Sequence, residues 1–68
     1  MDDMCKLKDL RKRKGLSQAE LARMIGTQQA QIQRWETGER KVSDKHIRAL
    51  VKTLDCRLVD VRPDLAGI

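Results

Sequence analysis

Aromatic side chains are almost missing from this chain, which has one Trp, no Tyr and no Phe among 68 residues. Any core must be built from aliphatic side chains around a single ring. A protein-docking surface anchored on aromatics is disfavoured, because interface cores favour such residues and exclude Lys. Cysteine is nearly as scarce: Cys5 and Cys56 lie far apart and outside any CxxC. That is too few for a disulfide scaffold, and it points to free thiols in a reducing cytoplasm. The one histidine, His46, cannot complete a zinc-ligand set, so no metal is expected. There is no apolar run of about 18 residues, hence no membrane-spanning helix, and no membrane partner is expected. The opening Met1-Asp2-Asp3-Met4-Cys5-Lys6 has no apolar stretch and does not read as a secretory signal. Internal repeats and low-complexity tracts are also missing. A Cys–His nucleophilic pair would need a cleft that so short a chain scarcely offers, so neither enzymatic activity nor a cofactor is expected.

What is present is positive charge. Fifteen Lys and Arg stand against ten Asp and Glu, a net charge of +5 with a pI near 9.7. A small basic domain points to a polyanion, most often nucleic acid or an anionic membrane. A basic helix lying on a membrane surface is the weaker reading, because the first helix needs its apolar stripe for the core. The length permits one domain, spanning 1–68, with an ordered core at about 4–62 and a loose tail at 63–68.

Glycines punctuate the first forty residues at Gly15, Gly26 and Gly38. Met4, Leu7 and Leu10 recur at every third position among Lys and Arg, which predicts a helix over 4–14 with Gly15 as its stop. Ser17-Gln18-Ala19-Glu20 is a capping-box pattern and opens a helix over 18–25, ended by Gly26. Thr27 suits the N-cap of a helix over 28–36, and Gly38 follows it. Residues 38–42 form a basic turn with Arg40 and Lys41. Ser43 caps a helix over 44–54, in which Ile47, Leu50, Val51 and Leu54 take the amphipathic spacing i, i+3, i+4, i+7. Asp55 stands where the chain needs a left-handed residue. Residues 56–62 fit either a strand or a short helix over 58–62. The helix reading is preferred, with its end set before Pro63.

The informative unit is 17–36: two short helices joined by a tight turn that starts at a glycine, the helix-turn-helix layout. Small Ala22 allows a steep crossing, Gly26 supplies a positive φ, and Ile32 plugs the angle, with Leu21 and Trp35 tying the pair to the core. The second helix carries Gln28, Gln29, Gln31 and Gln33 within six positions, followed by Arg34. Gln pairs bidentately with adenine N6 and N7, and Arg with guanine O6 and N7, so this helix has the chemistry of a major-groove reader. Gln18, first in its helix, is placed to meet a backbone phosphate.

Leu16-Ser17-Gln18-Ala19-Glu20-Leu21-Ala22, Gly26-Thr27-Gln28-Gln29, Ile32 and Trp35-Glu36-Thr37-Gly38 resemble the Cro/phage-repressor, or XRE-like, helix-turn-helix family over about residues 5–61. The resemblance implies an all-α, four- to five-helix, lambda-repressor-like domain. It implies sequence-specific binding to a palindromic double-stranded operator as a homodimer, and a role as a transcriptional regulator, most readily a repressor. By position, Gln28, Gln29, Ala30 and Arg34 match the family's base-facing residues and Gln18 its phosphate contact. Arg11 and Glu36 match a pair that joins the first helix to the third. Three residues depart from the pattern: Ala30 is apolar at a readout position, Val42 stands where Pro is common, and Asp55 where Gly is common. The full expectation assigns base reading to Gln28, Gln29, Ala30, Gln33 and Arg34. It assigns phosphate contacts to Gln18, Thr27, Arg11, Arg40 and Lys41. Structural roles fall to Ala22, Gly26, Ile32, Trp35 and Glu36. The competing reading is an antitoxin-like interaction module whose helical face docks a toxin or another regulator.

Overall fold

The computed structural model describes residues 6–65, and every regular element among them is helical. Helix α1 spans Leu7–Arg13, α2 Gln18–Ile25, α3 Gln29–Thr37, α4 Asp44–Leu54 and α5 Leu58–Val61. Residues 56–62 therefore resolve as a short helix, not a strand. The expected start of the first helix at Met4, like the thiol of Cys5, lies outside the described residues.

Helix α2 is closed at both ends by its own sequence. Glu20 N–H donates to Ser17 Oγ at 3.0 Å, and Ser17 N–H donates to the Glu20 carboxylate at 2.8 Å. Hydrogen bonding to Ser17, its backbone N–H first and its hydroxyl second, holds the Glu20 carboxyl below its ordinary pKa. At the other end Gly26 turns left-handed at φ 78°, and Thr27 N–H donates back to the Ala22 carbonyl at 2.8 Å.

That last bond corrects the expected cap of the third helix. Thr27 still belongs to the turn that closes α2, and Gln28, extended at φ −105° and ψ 153°, is the N-cap of α3, which starts at Gln29 with no side-chain cap bond. Ser43 is the N-cap of α4, but its hydroxyl bonds the His46 ring at 2.8 Å instead of a backbone N–H. Asp55 takes the left-handed conformation, φ 52°, as the sequence led one to expect.

The helices enclose one aliphatic core around Trp35. Leu7 and Leu10 come from α1, Leu21, Ala22 and Ile25 from α2, Ile32 from α3, Ile47, Leu50 and Leu54 from α4, and Val61 from α5. Helices α2 and α3 pack most closely, with α1 against α3 and α4 against α2. Val42, in the connection between α3 and α4, is also buried.

The expected loose tail is corrected in part. Pro63–Leu65 form a 3₁₀ turn, Leu65 packs against the core, and Asp64 bonds Arg62 through both carboxylate oxygens at 2.8 and 2.9 Å. Apolar burial and a two-pronged ion pair order these residues, a gain that their local composition does not advertise. Residues 66–68 of that tail lie outside the described residues.

Candidate nucleic-acid interface

Two apolar residues of α3, Ile32 and Trp35, are buried, which turns the opposite side of the helix outward. Gln28, Gln29, Ala30, Gln33 and Arg34 are all exposed. Gln29 and Gln33 stand one turn apart on that outer side, as do Ala30 and Arg34. The structure thus brings all five expected base readers to one surface, at and just beyond the start of the helix.

Behind this surface lies a chain of polar contacts. Arg11 Nε donates to one Glu36 carboxylate oxygen at 2.6 Å and Nη2 to the other at 3.2 Å, while Nη1 donates to the Leu16 carbonyl at 2.8 Å. The pair is well shielded, with side-chain exposures of 10% for Arg11 and 4% for Glu36. Gln18 Nε2 donates to the same Glu36 at 3.1 Å, and Gln29 Nε2 donates to Gln18 Oε1 at 3.4 Å. A buried carboxylate therefore orients one amide, and that amide orients a second at the surface. The pairing of Arg11 with Glu36 joins α1 to α3 as expected. With Nε, Nη1 and Nη2 all engaged, Arg11 acts as a brace and has little free surface to offer a phosphate.

The other expected phosphate contacts are dispersed around the readers. Gln18 is half-buried at the start of α2, Thr27 half-buried in the turn, and Arg40 and Lys41 exposed in the α3–α4 connection. Two cations already have acidic neighbours within the chain: Arg34 Nε lies 3.9 Å from Glu39 and Lys41 Nζ 3.7 Å from Asp64. Among the structural residues, Ala22 is buried in the core at 3% exposure, Ile32 is fully enclosed, and Gly26 has the expected positive φ.

Sequence reasoning missed the Gln18–Glu36 and Gln18–Gln29 links, because the partners lie 18 and 11 positions apart. It also passed over Arg62, which bonds the Val42 carbonyl and the Asp44 carboxylate. The available signal was weak: an Arg just before the only proline, and an apolar Val42 inside a charged stretch.

Helices α2 and α3, joined by a tight turn at left-handed Gly26 and packed on each other, with α4 against α2 and α1 against α3, are the arrangement of a helix-turn-helix domain. The chain belongs to the helix-turn-helix family, whose model matches residues 7–61. Among solved structures it is similar to the P22 c2 repressor protein, crystallised in complex with the synthetic operator 9T in the presence of Tl+. The identity is 29%, the match covers 81% of this chain and 83% of that one, and the TM-score is 0.76. No curated protein matches the chain. Among the described residues, no helix is long and apolar enough to cross a membrane.

Proposed function

We propose that this chain is a sequence-specific, double-stranded DNA-binding transcriptional repressor that reads the major groove with α3. The observation that carries the reading is the exposed row Gln29, Gln33 and Arg34, steadied from behind by the chain Arg11–Glu36–Gln18–Gln29. Amides and a guanidinium at the start of a helix match the donor–acceptor pattern of base edges. A side chain already held in place loses less freedom when it meets a base. Membership of the helix-turn-helix family, and similarity to a repressor crystallised with an operator, support the same assignment.

In this reading Gln28, Gln29, Gln33 and Arg34 meet base edges, and Ala30 meets a thymine methyl. Gln18, Thr27, Arg40 and Lys41 meet phosphates. The protein acts in the cytoplasm, as a homodimer on a palindromic operator, and catalyses no reaction.

Two substitutions separate reading from anchoring. Gln29→Ala is expected to remove ~1–3 kcal/mol of discrimination at one base pair and leave the salt dependence nearly unchanged. Lys41→Ala is expected to weaken every duplex alike and to lower the salt slope by about one. Titration of each variant against selected and scrambled duplexes at several salt concentrations checks both. Equal weakening of both duplexes by Gln29→Ala would remove α3 as the reader and favour a protein-docking role.

A further inference from the structure

The connection between α3 and α4 is held from the far end of the chain. Arg62 closes α5, and its side chain is only 14% exposed. Its Nη1 donates to the Val42 carbonyl at 2.8 Å and to the Asp44 carboxylate at 3.1 Å. Its Nε and Nη2 grip both oxygens of Asp64 at 2.8 and 2.9 Å. One planar guanidinium thus ties together the end of the connection, the start of α4 and the 3₁₀ turn. An ammonium is a point charge and cannot reproduce that fork.

The stretch so held carries Arg40 and Lys41. Upstream, the Arg40 N–H donates to the Arg34 carbonyl at 3.2 Å, just beyond left-handed Gly38. Downstream, Val42 is sunk into the core at 1% exposure. The two exposed cations are therefore suspended between fixed points, and at the downstream one Arg62 holds the Val42 carbonyl in addition to the burial of the Val42 side chain. Without that hold, the loop would have to be ordered at the moment of binding, which lowers affinity.

We propose that Arg62 is a positioning residue for DNA-backbone binding: braced by Asp64, it fixes Val42 and Asp44 so that Arg40 and Lys41 are presented to phosphates in one geometry. The inference rests on the DNA-binding reading above. Arg62 touches no DNA itself and acts wholly through the loop.

Arg62→Lys is the informative variant, since it keeps the charge and loses the fork. Binding is measured at several salt concentrations on two duplexes of about 20 base pairs, one selected from a random pool with the wild-type chain and one scrambled. Amide hydrogen exchange of Arg40, whose N–H is bonded to the Arg34 carbonyl, is measured in the free protein. We expect exchange there to accelerate about tenfold or more, and affinity for both duplexes to fall by the same ~3–10-fold factor. We also expect the salt slope to become shallower by up to about one. Adding Lys41→Gln to Arg62→Lys should cost much less than Lys41→Gln alone, because the two act through one loop. A merely structural role would lower the melting temperature while leaving slope and affinity intact well below it. Should Arg62→Lys fold poorly, Asp64→Asn removes the brace and must accelerate the same exchange beyond the effect of Lys41→Gln, which alone breaks the Lys41–Asp64 pair. Wild-type exchange, or additive losses in the double variant, would overturn the proposal. If selection with the wild-type chain enriches no duplex, the DNA-binding reading fails, and the exchange measurement alone decides whether Arg62 holds the loop.

Discussion

Glu36 is the residue on which the polar side of the fold turns. It accepts from Arg11 twice and from Gln18 once, yet its side chain is 4% exposed. Charges so shielded are costly when left unpaired, and pairing offsets desolvation only while both partners remain. Glu36→Ala should therefore destabilise by ~3–5 kcal/mol, whereas Arg11→Met with Glu36→Leu should cost less than either single change. Urea unfolding followed by Trp35 emission checks the order of the three variants. Asp64 gives a second residue-scale test. The hydrogen bond from Arg62 comes first among the causes that lower its pKa from 3.8 to about 2. Between those values the unfolded chain binds the proton and the folded chain does not, so Asp64 contributes stability above pH 3.8 that is lost as the pH falls toward 2. Glu20, lowered by its bonds to Ser17, acts in the same direction. The urea midpoint should drop through this acid window, and Asp64→Asn should flatten that part of the decline.

At the scale of the element, the crossing of α2 and α3 decides where the readers stand. Ala22 is nearly enclosed in the core, so Ala22→Leu should cost ~1–3 kcal/mol by overpacking, visible as a lower thermal midpoint. An unchanged midpoint would mean that the helices can part without penalty. The helix-turn-helix unit was legible in the sequence because its determinants are local: the Ser17–Glu20 box and the left-handed Gly26 lie within ten positions. Asp55 was legible for the same reason, since a short polar side chain tolerates the left-handed region. The pairing of Arg11 with Glu36 lies 25 positions apart and was foreseen only through the family resemblance. Thr27 was misassigned because two signals competed for one residue. A Thr before a helix reads as a cap, but the residue after a left-handed glycine closes the preceding helix. The order of Pro63–Leu65 was illegible because it depends on a core surface and an Arg62 guanidinium that exist only once the chain has folded. The outward row on α3 was readable from periodicity, whereas the orientation of Gln29 by Gln18 was not.

For the whole molecule, size sets the terms of binding. One module of this kind buries ~600–1,000 Å² on DNA, and tight, selective binding usually needs two copies at half-sites about 10–10.5 base pairs apart. On the side of α5, Leu58 is 43% exposed and Val59 half-buried, and we propose this side as the place where two copies meet. In the proposed dimer these side chains meet their symmetry mates across a two-fold axis, since an isologous contact brings the same patch from both copies together. A contact confined to so few apolar side chains would be small, so the free chain should be largely monomeric, with pairing driven by adjacent half-sites. Leu58→Glu places like charges across such an axis and should uncouple the copies without disturbing α3. The expected result is protection of both half-sites by the wild-type chain in one cooperative step. Leu58→Glu should fill them independently and at ~10-fold or higher concentration, with helix content and single-half-site affinity unchanged. Quantitative footprinting on intact and half-site operators measures each quantity. Cooperative filling by Leu58→Glu would move the dimer contact away from α5.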